Sequence, residues 1–120
     1  MKLTQIKGAD RIASANLDDW GKVGVPLGEP ISELRGTHIA EAADGHYECG
    51  IWECSPGHWR RQILKAEFCH FLAGRCSFTA DSGEVLQIEA GDAIFFPANT
   101  LGVWDVTETV RKSYLVFDPA

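Results

Sequence analysis

The sequence predicts an all-β domain, an antiparallel sandwich or closed barrel, on three observations. Short apolar or alternating runs follow one another from Thr37 onward, turn residues punctuate them, and no segment carries the spacing of a long amphipathic helix. Strands this short are best protected by closing the sheet on itself, which removes exposed edges. At 120 residues and 13.2 kDa the chain holds one domain. Its 45% hydrophobic content supplies a packed core and excludes disorder as the main state.

The first 36 residues differ from the rest. They contain GKVGVPLGEP and only weak apolar spacing at Ile12, Leu17 and Trp20. Residues 1–36 are expected to form a loop-rich N-terminal arm packed on a barrel made by residues 37–120. The barrel strands then read in order: THIAEA, the turn Asp44-Gly45, HYECGIWECS, the turn Pro56-Gly57, and WRRQILK. EFCHFLA, Gly74, RCSFTA, the turn Asp81-Ser82-Gly83, and EVLQIE continue the pattern. After Ala90-Gly91-Asp92 come AIFFP, a loop over Ala98 to Leu101, GVWDV and VRKSYLVF, for about nine short strands in all. In RCSFTA the alternation places Cys76, Phe78 and Ala80 on one face and Arg75, Ser77 and Thr79 on the other.

Seventeen acidic residues against eleven Lys and Arg give a formal net charge of −6. The longest basic runs are Arg60-Arg61 and Arg111-Lys112, so no nucleic-acid partner is expected. No stretch approaches the roughly 20 apolar residues of a membrane helix, and the N-terminus lacks the apolar run of a signal peptide. A cytoplasmic chain without a membrane partner is the expectation. Cys49, Cys54, Cys69 and Cys76 then read as reduced, small hydrophobes. On one strand Cys49 and Cys54 point to opposite faces and cannot share a metal.

Two motifs carry a resemblance. Glu67 to Gly74 has E-x6-G spacing, and Gly91 to Pro97 has G-x5-P spacing. With GIWECSPGHW (Gly50 to Trp59) and the W-x-V-T-E-x-x-R-K-x-Y tail ending at Tyr114, the chain resembles the cupin subfamily that includes the ethanolamine-utilisation cupin and ureidoglycine aminohydrolase. The resemblance covers roughly Gly50 to Phe117. It implies a double-stranded β-helix, a jelly-roll-like barrel that is often a homodimer, with any ligand in the barrel mouth. It implies no single reaction.

The metal-binding pattern of that family is H-x-H shortly before the glutamate and a histidine after the second-motif proline. Here the two histidine positions carry Arg61 and Ile63, or Arg60 and Gln62, and the last carries Gly102. Only Glu67 survives, and one carboxylate cannot hold a transition metal against water. No metal and no other cofactor are expected; His38, His46, His58 and His70 are the only histidines left as substitutes.

Glu67 then needs a cationic partner, because an unpaired carboxylate inside a barrel is costly. Arg60 or Arg61 is the expected one. Arg60, Arg61, Glu67, Cys69, Trp104, Lys112 and Tyr114 form the candidate ligand-binding set, with Glu67 the candidate catalytic group. Cys69 shares a face with Glu67, Tyr114 shares one with Lys112, and Trp104 shares one with Gly102, where it either fills the empty volume or stacks on a ligand. Trp52 and Trp59 flank the Pro56-Gly57 turn, at a pocket rim or a dimer interface.

Two functions follow. One is a metal-independent cupin that binds a small polar or anionic metabolite, with acid–base activity on it as an option. The other is a non-catalytic dimeric cupin whose barrel is plugged by an Arg–Glu pair. A metal-dependent enzyme of nitrogen metabolism stands third, since the motifs do not supply its ligands.

Overall fold

The computed structural model describes residues 2–119. Eight strands follow a single 3-10 turn, Ser14–Asn16. They are β1 (Asp18–Lys22), β2 (Glu33–Glu41), β3 (Tyr47–Cys54), β4 (Gly57–Ile63), β5 (Ala66–Ala80), β6 (Val85–Glu89), β7 (Ala93–Phe96) and β8 (Thr100–Phe117). All pairings between them are antiparallel.

Two long strands organise the barrel. β5 and β8 pair along their whole length, from Ala66 opposite Phe117 to Ala80 opposite Gly102. The register shifts between Phe71 and Cys76, and at that bend the pair passes from one wall to the other. β1, β2, β3 and β7 flank the end carrying Glu67 and Tyr114, while β4 and β6 flank the end carrying Phe78 and Trp104. This is the double-stranded β-helical arrangement of a jelly roll.

The reading of nine short strands is corrected on two counts. Gly74 breaks the apolar pattern but not the pairing: it takes φ of +86° and sits where a Cβ would run into the Thr109 carbonyl, so it bends the strand instead of ending it. Thr100 and Leu101, read as loop, likewise belong to one continuous β8. The sheet also begins before Thr37. β1 pairs with β2 across Gly36, where the missing Cβ leaves room for the Trp20 ring to lie against the strand.

Of the first 36 residues, the stretch at Ala9 reaches Arg111 of β8, β1 extends the sheet beside β2, and residues 25–27 bond to the β4 backbone at His58 and Arg60. Arg35, Glu53 and Arg111 stand directly opposite one another across β2, β3 and β8. Arg111 binds Glu53 at 2.6 Å and donates to the Ala9 carbonyl at 3.1 Å, so arm backbone seals a buried outward-facing ion pair. The interior is aromatic: Trp104, Phe71, Phe78 and Phe96 are all buried and mutually packed.

Candidate functional site

Between the walls lies a cavity of about 500 Å³ that opens at one end of the barrel. Antiparallel register builds it row by row, because directly opposite residues share a face. Trp52, Lys112 and Phe71 form one row across β3, β8 and β5. Gly50, Tyr114 and Cys69 form the next, and Glu48, Val116 and Glu67 the third. Gly50 carries no side chain in the middle row, and the Thr37 carbonyl takes the place of its Cβ; beside it His38 of β2, Glu48 and Tyr114 meet.

Lys112 holds the centre. Its Nζ lies 2.6 Å from Glu67 Oε2, 4.3 Å from the Trp52 ring centroid and 5.3 Å from that of Trp104. Both charged side chains are about as buried as the core, at 6% and 7% exposure. The aromatic faces and the carboxylate together replace the water an ammonium group loses on burial. Glu67 Oε2 is fully buried, and the Lys112 ammonium is its charged partner. Nearer the mouth, the Tyr114 hydroxyl donates to Glu48 Oε2 at 2.6 Å, and His38 Nε2 lies 2.9 Å from the same oxygen. The His38 ring is half exposed and stacks on Trp20, with centroids 5.2 Å apart.

Of the residues singled out from sequence, Arg61, Glu67, Trp104, Lys112 and Tyr114 line this one cavity. Arg60 does not. Alternation along β4 puts Trp59, Arg61 and Ile63 on the cavity side, with Arg61 exposed at its mouth, and Arg60 on the other side, where it grips Asp81 of the β5–β6 turn through two bonds of 2.7 and 2.5 Å. Neither arginine pairs with Glu67. Lys112 does so because its strand lies between those of Trp52 and Phe71, and its stem reaches along the barrel floor. Trp104 does not fill the space at Gly102 either: a Cβ there would lie 2.5 Å from Phe78 Cζ, so the Phe78 ring occupies it. Glu48 and Trp20 were missed as cavity residues, and His38 was named only as a substitute metal ligand. Their signal is only the register of β1, β2 and β3, which no spacing within one strand reveals.

Cys69 is buried beside Tyr114, and burial pushes its thiol up to about 11 despite the nearby Lys112 ammonium, so it is a poor nucleophile. Burial likewise raises Cys76 to about 12 and raises Cys54. Burial, then the bond to Glu48, keeps the Tyr114 phenol neutral well into alkaline solution. Groups whose ionisation is suppressed in the folded state stabilise it below their ordinary value, 9.0 for the thiols, and lose that contribution as pH rises through the folded one. The melting temperature should therefore fall between about pH 9 and 11, and a Cys69→Ala, Cys76→Ala double variant should show a shallower fall. Equal slopes would refute this cause.

The residues present do not fit a metal ion. Among the described residues no three His, Cys, Asp or Glu side chains converge, and the Lys112 ammonium already contacts the one motif carboxylate. His58 and His70 are exposed, and His38 serves Glu48. No helix is long and apolar enough to cross a membrane among the described residues.

Comparison with known proteins bears on this arrangement. A model of the EutQ-like cupin domain matches residues 41–114. A Pseudomonas syringae protein of unknown function from the DUF861 family superposes with a TM-score of 0.74 at 22% identity, covering 83% of this chain and 43% of that one. The chain thus spans less than half the length of that protein. A putative ethanolamine utilization protein Q from Salmonella typhimurium gives 0.62 at 21% identity, covering 77% and 74%. A DUF861 family protein from Thermotoga maritima is 34% identical over 56% of this chain and 76% of its own, with a TM-score of 0.54. No curated protein matches the chain.

Proposed function

Because the chain belongs to the family of EutQ-like cupin domains, we propose that it is a metal-independent cupin whose open barrel binds a small polar or anionic metabolite. The observation that carries this reading is the floor of the cavity. The buried Lys112–Glu67 ion pair lines a cavity of about 500 Å³. A charged pair is costly to bury, and one set against a cavity suits a polar or anionic ligand. Arg61 lines the same cavity and makes no ion pair among the described residues, which favours an anionic group on the ligand.

All four tryptophans of the chain line the cavity, so intrinsic fluorescence reports its occupancy. A screen of small carboxylates, amides and ureido compounds by fluorescence and thermal shift should find a ligand. Glu67→Gln, which keeps the shape, should then weaken it by about tenfold or more. Unchanged affinity in that variant would sink the reading.

A second copy of the chain is the partner proposed, on the strength of the outer face of the first wall. Phe95, Phe68, Leu115 and Cys49 stand in one row across β7, β5, β8 and β3, beyond the part that the arm covers. Phe68, Phe95 and Leu115 are 50%, 56% and 39% exposed. Such a stripe on a rigid sheet suits an isologous contact. Sedimentation at micromolar concentration should give a dimer that Phe68→Glu dissociates; a monomeric parent chain would refute it.

A further inference from the structure

Lys112 has the surroundings of an amine that forms a covalent bond. Its nitrogen lies in the cavity the metabolite would enter, flanked by the directly opposite Trp52 and Phe71. A carboxylate able to take a proton from it stands 2.6 Å away. Tyr114, on the same face two residues along β8, presents a hydroxyl held by Glu48. A desolvated lysine beside a base and against apolar walls is the recurring setting for attack on carbonyl carbon. The other lysines, Lys2, Lys7, Lys22 and Lys65, lie at the surface or on partly exposed stems outside the cavity.

We propose that Lys112 forms an imine with a small aldehyde or ketone, best one that also carries a carboxylate for Arg61. This rests on the cavity being a ligand site. The ammonium first gives a proton to Glu67. The freed electron pair attacks the carbonyl carbon, the C–N bond forms, and the carbonyl oxygen takes the second nitrogen-borne proton to give a neutral carbinolamine. Glu67 returns its proton to the hydroxyl, the C–O bond breaks and water leaves. The product is an iminium whose N–H⁺ again faces the Glu67 carboxylate. One water is released, no oxidant or reductant is consumed, and the charge pair is the same at the end as at the start. That last property separates Glu67 from a mere counter-ion: it stabilises the cationic nitrogen before and after, and stores the proton between.

The experiment uses pyruvate and propanal as probes with cyanoborohydride to reduce any imine, followed by peptide mapping. Pyruvate should mark Lys112 about tenfold faster than any other lysine, propanal should do so more slowly, and Glu67→Gln should slow both. Lys112→Arg, which keeps a cation, should lose the adduct at that position while the other lysines react as before. Labelling spread evenly over the lysines overturns the imine. Quenching of tryptophan fluorescence by pyruvate without labelling of Lys112 overturns it too, yet leaves the binding reading intact. With neither quenching nor labelling by either probe the imine falls, and the metabolite screen decides the binding reading separately.

Discussion

Lys112→Met should lower the unfolding free energy by about 3 to 5 kcal/mol, the usual result of removing one partner from a buried ion pair. Methionine replaces most of the stem volume, so the loss reflects charge and not a cavity. What remains is a Glu67 carboxylate 7% exposed on the barrel floor, without its cationic partner. Trp52 and Trp104 would also lose the ammonium they face. The double variant Lys112→Met, Glu67→Leu should recover most of the stability, because an apolar pair of similar volume avoids the desolvation cost altogether. Urea unfolding of the parent and both variants measures this. A loss below about 1 kcal/mol in the single variant would mean that the cavity solvates the carboxylate as well as bulk water does.

Trp104→Ala should cost about 3 to 5 kcal/mol, as large-to-small changes at buried aromatics do. Trp104 is 1% exposed and touches Trp52, Phe71, Phe78 and Phe96, with ring centroids 4.8 to 6.3 Å away. It stands opposite Trp59 on β4 and opposite Phe78 on β5, joining both neighbours of its strand. Truncation would leave a void next to an existing cavity, so the walls have little reason to close over it. Trp104→Phe should recover more than half of the loss in chemical denaturation. If alanine costs no more than phenylalanine, the ring is not the hub of this cluster.

The fold class was legible because alternation and turn residues are local signals. The length of β5 and β8 was not: Gly74 and the Asn99 to Leu101 stretch look like breaks in a pattern that considers one strand at a time, and pairing carries the strand through them. The same limit governs the site. Glu67, Lys112 and Tyr114 were reachable from motif and parity, since each needs only its own strand. The choice of Lys112 over an arginine as the partner of Glu67 depends on which strands are neighbours, and so does the meeting of His38 with Glu48 beside Gly50. Arg60 misled because two adjacent arginines in a strand look alike until one of them is given an inside.

Phe78 bears on how the chain can change over generations. Its ring lies where any side chain at position 102 would begin, with Thr79 oxygen 2.5 Å away on the other side. It is also wedged between Phe96 and Trp104, at 5.2 and 4.8 Å. A single codon change from glycine to histidine at 102 would therefore be rejected by packing before any metal could reward it. A smaller residue at 78 would remove only part of the obstacle, since the Thr79 carbonyl stays 2.5 Å from the new Cβ, and that step alone opens a hole in the aromatic cluster. The two positions hold each other in place like a pawl on a ratchet. Any change at 102 is therefore tied to a change at 78 and to a shift of the strand backbone beside it.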